Sequence, residues 1–329
     1  MRVVRVAAIQ TGNHFQDQAA GRTEAEGLIR AAVAEGAELV VLPELSSCGY
    51  IPNQSIWQYA EPRDGPTAQW ASALSAGLGV FVGAGFTETD GRDFYNSYLL
   101  SDPQGEIRGV IRKEDAESYC FKRAPGDTHI DTALGRIGIG ICADNHYADR
   151  LRRMQAAGVD LMLMPHANPL PHTTSRVVSA ADKRELEGKP LLVAATYSRC
   201  LNVPTVYVNP VGSYPQFAGG VWMRSYNESF RLRGGSLATT ATGELISRLG
   251  EEVGYRVYAL EVGQQGGEEC TPPVYHGKWL HDGNWLYRRL ILPHVTRQGV
   301  RSYERQHMRY MAQHPLSRAD PLPPARLGA

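Results

Sequence analysis

The sequence predicts an α/β fold. Short apolar runs alternate with stretches of helical spacing along the first two thirds of the chain, which is typical of strands connected by helices. Apolar residues make up 43% of the 329 residues and charged residues 21%, the composition of a globular protein with a sizeable core. The sequence has no uninterrupted apolar run of about 18 residues, so no membrane-spanning helix is expected.

The predicted elements are read from local pattern. Runs rich in Val, Ile and Leu predict buried strands, and a proline closes the runs at Pro43 and Pro165. The predicted strands are Val3–Ile9, Glu38–Leu42, Gly79–Phe86, Tyr98–Leu100, Val110–Ile111, Gly138–Ile141, Leu161–Met164, Leu191–Ala195 and Pro204–Val208. Polar stretches with apolar residues near helical spacing predict helices over Thr23–Glu38, Ala148–Ala157 and Val295–Gln313.

The charge balance disfavours two classes of partner. Lys plus Arg and Asp plus Glu number 34 each, so no global field favours nucleic acid or an anionic membrane. The N-terminus, MRVVRVAAIQ, has no long apolar stretch, so a secretory signal is not expected. The five cysteines are an odd number and form no CxxC pair, which argues against a disulfide framework and for a reducing cytoplasm.

A composition change near Gly263 divides the chain. We expect one enzyme domain over residues 1–262 and a C-terminal extension over 263–329. The extension begins with the Gly/Glu/Gln-rich segment Gly263–Glu269 and continues with aromatic residues and arginines. We expect it to pack against the core or a partner subunit, with a separate binding function as the alternative. Asp320–Ala329, with three prolines, is expected to be extended or disordered.

Three apolar strands end in reactive side chains. Glu44 follows VVLP, Lys113 follows GVIR, and Cys142 follows GRIGIGI. Sites in open α/β sheets gather at strand ends, where a rigid frame presents side chains from loops. A carboxylate, an ammonium and a thiol at three such ends are therefore a candidate catalytic set. Each residue alone has an ordinary explanation, because a lone cysteine is usually core and a charged run is usually solvated.

These three groups fit nucleophilic catalysis by a thiol. A thiol attacks as its thiolate, and its free pKa is about 8.5. Glu44 could take the proton of Cys142 as a general base and later pass it to a leaving amine. Lys113 would favour the thiolate and stabilise an oxyanion. The backbone N–H of Ala143 is a candidate second oxyanion donor.

Six motifs in order resemble the nitrilase (carbon–nitrogen hydrolase) superfamily. The likeness runs from Val3 to about Val262. Its motifs are PEL (Pro43–Leu45), FYNSYLLSDPQGEIRGVIRK (Phe94–Lys113), APGD (Ala124–Asp127), GIGICAD (Gly138–Asp144), GVDLMLMPHANP (Gly158–Pro169) and VPTVYVNPVG (Val203–Gly212).

The resemblance implies a four-layer α-β-β-α sandwich and a Glu44–Lys113–Cys142 triad. It also implies no cofactor and assembly into homodimers or larger homo-oligomers. The family often has a second glutamate between the lysine and the cysteine. Glu117 is the candidate for it, followed by Glu114. The stretch from lysine to cysteine is shorter here than is usual in the family, which indicates a differently shaped pocket rim.

The residues after the nucleophile indicate the substrate class. Nitrile-hydrolysing branches usually follow the cysteine with Trp-Glu, whereas Ala143 and Asp144 stand here. Amidase and carbamoylase branches commonly have an aspartate at the second position. We therefore expect a small-molecule amide or N-carbamoyl substrate, with a nitrile as the alternative. The pocket candidates lie just past motif strands, and each could equally be a structural hydrogen-bonding residue: Tyr50, Asn145, His146, His166 and Asn168.

The sequence gives weaker support to other interpretations. A metal site is disfavoured because there is no HExxH, although His166 and His172 are close in sequence. A dinucleotide site is disfavoured because Gly135, Gly138 and Gly140 precede or occupy a strand instead of a strand-to-helix turn. We interpret Gly138 and Gly140 as allowing close packing under the nucleophile. An acyl transferase and a non-catalytic scaffold stay open as further alternatives.

Overall fold

The computed structural model describes residues 2–175, 178–218, 228–263, 290 and 292–314. Within them the helices are α1 Gln18–Ala34, α2 Pro66–Leu78, α3 Ala148–Ala157, α4 Ala180–Leu201 and α5 Leu292–Gln313. The strands are β1 Arg2–Gln10, β2 Leu39–Val41, β3 Phe81–Thr89, β4 Phe94–Ser101, β5 Ile107–Arg112, β6 His129–Thr132, β7 Gly135–Ile139, β8 Leu161–Pro165, β9 Pro169–Pro171, β10 Thr205–Val208, β11 Val211–Gly212, β12 Phe230–Arg233, β13 Leu237–Thr239, β14 Leu245–Arg248 and β15 Gly254–Val262.

The strands form two six-stranded sheets and one small sheet. The first large sheet has the order β15-β1-β2-β3-β4-β5, and the second has the order β14-β13-β10-β8-β7-β6. Strands β1, β2 and β3 are parallel, and so are β7, β8 and β10. Strand β5 returns antiparallel to β4, which is antiparallel to β3. Strands β2, β3 and β5 therefore end at the same edge of the first sheet.

The two sheets stack between two layers of helices. Their facing sides form one apolar layer that includes Val6, Val41, Ile137, Leu163 and Val206. The outer side of the first sheet packs against apolar residues of α1 and α2. The outer side of the second sheet packs against apolar residues of α3 and α4. The predicted four-layer α-β-β-α sandwich is confirmed.

One predicted strand is wrong. Leu191–Ala195 lies inside α4, which begins with a capping box between Ser179 and Asp182. That box satisfies backbone groups at the helix start, and the apolar run then packs on the outer side of the second sheet. A short apolar run does not distinguish a strand from a buried helix segment. Helix α3 has the predicted bounds, whereas α1 begins five residues earlier than predicted and ends four earlier.

The cysteines differ from the expected fully reduced set. Cys48, Cys120 and Cys142 are free thiols. Cys200, however, is disulfide-bonded. The sequence argues against a disulfide framework; three of the four described cysteines are free, and Cys200 departs from a fully reduced set. This disulfide counts against the reducing compartment that the cysteine pattern predicts, whereas the three free thiols agree with it.

The predicted C-terminal helix is observed as α5. The linker segment predicted at Gly263–Glu269 lies outside the described residues except for Gly263, and Asp320–Ala329 lies outside them entirely. Among the helices that the structure describes, none combines the length and apolar character needed to cross a membrane.

Gly85 in β3 determines how closely the segment around Glu44 approaches the sheet. A Cβ atom there would lie 2.9 Å from the Glu44 carbonyl carbon and 2.9 Å from the Pro43 oxygen, and closer still to the Leu45 nitrogen. The Gly85 backbone also accepts a hydrogen bond from the Ser47 N–H at 3.0 Å. The strand can hold this segment because residue 85 has no side chain.

We predict that Gly85→Ala lowers the free energy of unfolding by about 1–3 kcal/mol, because overpacking forces the backbone to shift. Chemical denaturation measures this change. Gly188→Ala in α4 is the matched control, since a Cβ at Gly188 meets nothing within 4 Å. Equal stability of the two variants would contradict the close approach at Gly85.

Candidate active site

A buried lysine lies at the centre of the site. The Lys113 Nζ atom is 2.6 Å from Glu44 Oε1 and 2.7 Å from Glu117 Oε1. The side chains of Lys113 and Glu44 are fully buried, and that of Glu117 is 19% exposed. A charge removed from water is tolerated when it is paired and hydrogen-bonded. One ammonium here is shared between two carboxylates.

Backbone and amide donors hold Glu44. Its second oxygen, Oε2, accepts the Ala167 N–H at 2.7 Å, and Oε1 accepts from Asn96 Nδ2 at 2.8 Å. The next residue, Leu45, has a left-handed φ of 52°. That conformation costs a non-glycine residue roughly 1–2 kcal/mol and turns the chain sharply after β2. Glu44 is therefore fixed between the first sheet and the end of β8.

Cys142 lies at the end of the second sheet. Two residues separate it from the end of β7, and it begins the 3-10 turn Cys142–His146. Its φ of 48° is also left-handed, so the chain reverses at the thiol. The partly buried thiol is close enough to interact electrostatically with Glu44, Lys113 and Glu117, and it faces the Ala167 N–H.

The charges of the site shift several pKa values. Burial raises the pKa of the Cys142 thiol well above its ordinary value, and Glu44 adds to the increase while Lys113 opposes it. Burial also raises the pKa of Glu44, against the effect of Lys113. Burial alone would lower the pKa of Lys113, but Glu117 and Glu44 raise it well above the ordinary value. At rest the lysine is therefore charged and the thiol is protonated. Lys113 favours the thiolate, as expected, but burial and Glu44 together have the larger effect on the pKa of the thiol.

Asp144 connects the ends of the two large sheets at the site. Its buried carboxylate accepts the N–H groups of Glu114 at 3.1 Å and Asp115 at 2.8 Å. The Arg150 guanidinium lies 3.6 Å away and donates to the Ile139 oxygen at 2.7 Å. The turn that carries Cys142 is thus tied to the segment that follows Lys113. In the sequence Asp144 serves as an indicator of substrate class. In the structure its contacts position the turn of Cys142 relative to Lys113.

The two candidates for the second glutamate have different surroundings. Glu117 contacts Lys113, as described above. Glu114 pairs instead with Arg150, at 3.4 Å, and with Arg153. The geometry therefore favours Glu117 over Glu114 as the glutamate beside the lysine.

Three pocket candidates lie under or beside the Cys142 turn. Asn145 Nδ2 is 2.8 Å from the Gly140 oxygen and 3.1 Å from His166 Nε2. The His166 ring packs 4.3 Å from that of Tyr207, and burial lowers the pKa of His166 well below its ordinary value, so this ring is neutral. Asn145 and His166 are buried, whereas His146 is partly exposed.

The remaining candidates are Asn168, Tyr50 and Ala143. Asn168 donates its N–H to Asn209 Oδ1 at 2.7 Å and is partly exposed. Tyr50 is buried with its ring 6.0 Å from those of Tyr214 and Phe217. Ala143 is partly exposed in the first turn after the thiol. The described contacts connect none of these three side chains to the carboxylates around Lys113.

Sequence reasoning missed two groups of the site. Asn96 donates to both Glu44 and Glu117, the latter at 3.4 Å, and the Ala167 N–H binds Glu44. A polar amide within the apolar strand segment FYNSYLL was a usable signal for Asn96, because a buried amide needs hydrogen-bond partners. A backbone N–H such as that of Ala167 has no sequence signal.

The glycine and histidine patterns have packing explanations. A Cβ at Gly140 would overlap Asn145 Oδ1 and lie 2.8 Å from Met162 Cε, as expected for close packing under the nucleophile. A Cβ at Gly138 would lie 3.1 Å from Met162 Sδ. In the part of the chain that the structure describes, no three His, Cys, Asp or Glu side chains form a group that could hold a metal ion.

Comparison with known proteins identifies the family. Residues 5–264 match the family described as carbon–nitrogen hydrolase. The chain belongs to the carbon–nitrogen hydrolase family. It is 30% identical to a nitrilase of Pyrococcus abyssi over 59% of this chain and 74% of that one. It is 31% identical to the N-carbamoylputrescine amidase of Solanum lycopersicum and 30% identical to the citrullinase of Francisella tularensis. These matches cover 50% and 51% of this chain, and 59% and 62% of the relatives.

Solved structures of other proteins share the fold of this carbon–nitrogen hydrolase. A carbon–nitrogen hydrolase from Helicobacter pylori superposes with a TM-score of 0.69 at 20% identity, over 78% of this chain and 89% of that one. A Nesterenkonia amidase variant superposes with a TM-score of 0.63 at 18% identity, over 78% and 90% of the chains. In that variant, which has a glutamate replaced by glutamine, the acetamide moiety of fluoroacetamide is added covalently to the active-site cysteine.

We predict that Asp144→Asn lowers the free energy of unfolding by about 1–3 kcal/mol, because it removes the charge of a buried carboxylate that accepts two backbone N–H groups and leaves only the partly exposed Glu114 beside the buried Arg150. The matched control is Asp149→Asn. Asp149 pairs with Arg153 but its side chain is 74% exposed, so its loss should cost less than about 1 kcal/mol. Urea unfolding compares the two variants. A similar small loss in both would contradict a tie between the sheets at Asp144.

Proposed function

We propose that this carbon–nitrogen hydrolase is a cysteine hydrolase that cleaves a small-molecule amide or N-carbamoyl compound through a thioester on Cys142. The observation that carries the proposal is the Lys113 ammonium within 2.7 Å of both Glu44 and Glu117, next to the Cys142 thiol. The covalent addition at the cysteine of the Nesterenkonia amidase supports a thiol nucleophile in this fold.

In the acylation step, Glu44 takes the thiol proton as Cys142 Sγ attacks the carbonyl carbon. The raised pKa of the Glu44 carboxyl makes its carboxylate a stronger base for this proton. Lys113 and the Ala143 N–H stabilise the oxyanion of the tetrahedral intermediate. The carbon–nitrogen bond then breaks, and the proton on Glu44 passes to the leaving ammonia or amine.

In the deacylation step, Glu44 is again a carboxylate and takes a proton from water. The resulting hydroxide attacks the thioester carbon, and the carbon–sulfur bond breaks. The proton on Glu44 returns to the Cys142 sulfur. One amide and one water thus give one acid and one ammonia or amine, and the enzyme is regenerated. Glu117 keeps Lys113 charged and oriented through both steps.

An amide or N-carbamoyl substrate is favoured over a nitrile by the sequence after the nucleophile. Ala143 and Asp144 replace the Trp-Glu that is usual in nitrile-hydrolysing branches. One of the reported relatives is named for an N-carbamoyl amine and another for citrulline, a ureido compound. The Pyrococcus abyssi relative is named a nitrilase, so a nitrile is the second candidate. A panel of amides, N-carbamoyl compounds and nitriles, with ammonia release measured, separates them.

The fate of the thioester defines the remaining alternatives. An amine in place of water would make the same site an acyl transferase. Product analysis with and without added amine distinguishes hydrolysis from transfer. A non-catalytic scaffold would release no ammonia from any compound of the panel.

Homo-oligomerisation, as a dimer or larger assembly, and a cytoplasmic location are further parts of the proposal. The family resemblance supports the first. Light scattering on the full chain tests the oligomer, and a monomer would contradict it.

We predict that Cys142→Ala abolishes turnover without unfolding the protein. Glu44→Gln and Lys113→Ala should each lower kcat/KM by roughly 10²–10⁴, because the three groups act as a unit. Steady-state kinetics and circular dichroism measure activity and fold. Cys48→Ala is the control, since this thiol is free but buried and should be dispensable for turnover. Near-normal turnover in Cys142→Ala would overturn the mechanism.

The acid side of the pH–rate profile should report Glu44. A raised pKa keeps its carboxyl protonated, and so unable to act as a base, at a pH above its ordinary value of 4.5. We therefore predict that kcat/KM falls as pH decreases, with a midpoint above 4.5. The Asn96 hydrogen bond lowers the pKa of Glu44, so Asn96→Ala should move the midpoint further up. A midpoint at or below 4.5, or one unchanged in Asn96→Ala, would contradict the assignment.

A further inference from the structure

Helix α5 contacts the residues that follow Glu117. Gly299 is buried, and a Cβ atom there would lie 2.9 Å from both Ser118 Cβ and Tyr119 Cδ2, and closer still to Ser118 Oγ. The helix can approach this segment because residue 299 has only hydrogen on its Cα. The contact joins the C-terminal helix to the residue next to Glu117.

The segment after Glu117 is a tight turn. The N–H groups of Cys120 and Phe121 both donate to the Glu117 carbonyl, at 2.8 and 2.9 Å. A displacement of Ser118 would therefore move the Glu117 backbone with it. The Glu117 carboxylate, 2.7 Å from Lys113 Nζ, would be displaced in turn.

A second contact of α5 fixes the start of β4. The Tyr303 hydroxyl accepts the Phe94 N–H at 2.9 Å and donates to Asp93 Oδ1 at 3.0 Å. Phe94 precedes Asn96 by two residues, so both side chains lie on the same face of the strand. Asn96 is the amide that donates to Glu44 and Glu117.

An aromatic contact links the helix to the far end of the turn. The Trp57 ring stacks on Phe94 at 5.1 Å and meets Tyr303 and Tyr310 edge-on at 6.0 and 5.4 Å. Its Nε1 donates to the Cys120 oxygen at 2.6 Å. Helix α5 thus touches the Glu117 turn directly through Gly299 and indirectly through Trp57.

We propose that helix α5 is a positioning element of the site: Gly299 and Tyr303 hold the Glu117 turn so that the Glu117 carboxylate stays on Lys113. This inference rests on the proposed function, because it assigns α5 a part in the same reaction. Gly299 and Tyr303 act through Glu117 and touch neither Lys113 nor Cys142 in the described contacts. If α5 served only in packing, its variants would change the stability of the protein and leave the pKa of the Cys142 thiol unchanged.

The test is Gly299→Ala in the full chain. Gly27→Ala in α1 is the matched control, since a Cβ at Gly27 meets nothing within 4 Å. Ser118→Gly, alone and combined with Gly299→Ala, removes the nearer of the two side chains that the new methyl group would strike, and Tyr119 remains. Two readouts are used: kcat and KM on a hydrolysed amide, and the pH dependence of Cys142 alkylation by iodoacetamide, located by peptide mass.

We expect Gly299→Ala to lower kcat roughly 10- to 100-fold, because a small misplacement of a positioned group has effects of that size. The alkylation midpoint should move to lower pH, because the Glu117 charge raises the pKa of the thiol and would be displaced. Glu117→Gln should move it in the same direction. Gly27→Ala should leave kcat and the midpoint unchanged, and Ser118→Gly should partly restore both in the double variant.

An unchanged alkylation profile and kcat in Gly299→Ala would overturn the inference. So would a loss of kcat that Ser118→Gly does not relieve and that follows the loss of thermal stability. The alkylation comparison needs no substrate. If wild-type protein hydrolyses no compound of the panel, the proposed function fails, and the alkylation profiles still decide whether α5 positions Glu117.

Discussion

The structure of the site depends on one buried ammonium. The Lys113 side chain is fully shielded from water and would be costly there without compensation. Two carboxylates provide it, Glu44 from the end of β2 and Glu117 from the turn after Lys113. Burial raises the pKa of the nearby Cys142 thiol, and the two carboxylates add to the increase against the effect of Lys113, so the thiol keeps its proton at rest. The nucleophile in this account is produced by proton transfer to Glu44 during the reaction.

The requirement to hold these charges explains several local features. Glu44 and Lys113 follow strands of the first sheet, and Cys142 follows a strand of the second. The distance between the thiol and the two charged groups is therefore constant only if the two sheets keep the same position relative to each other. Asp144 ties the ends of the two sheets through the N–H groups after Lys113. Left-handed φ angles at Leu45 and Cys142 store backbone strain next to the proposed base and nucleophile.

Much of this arrangement could be predicted from the sequence, for identifiable reasons. Glu44, Lys113 and Cys142 each follow an apolar strand, and strand ends at one edge meet in space. The prediction of a strand at Leu191–Ala195 is wrong because a run of five apolar residues is too short for its periodicity to distinguish a helix from a strand. The Ala167 donor and the packing of Gly299 on Ser118 depend on long-range backbone positions, which local pattern does not encode. Helix α2 also has signals in the sequence that indicate a helix. Pro66 stands in its first turn, and the left-handed Gly79 ends it.

The central claim is that Cys142 carries the acyl group of the substrate. The most direct measurement is intact-mass and peptide-mass analysis of Glu44→Gln after incubation with an amide that the wild type hydrolyses. Without its base the variant should still acylate slowly and should not release the acyl group, so an adduct of the acyl mass is predicted on the peptide that contains Cys142. Absence of any adduct while ammonia is still released, or an adduct on a different residue, would contradict the account.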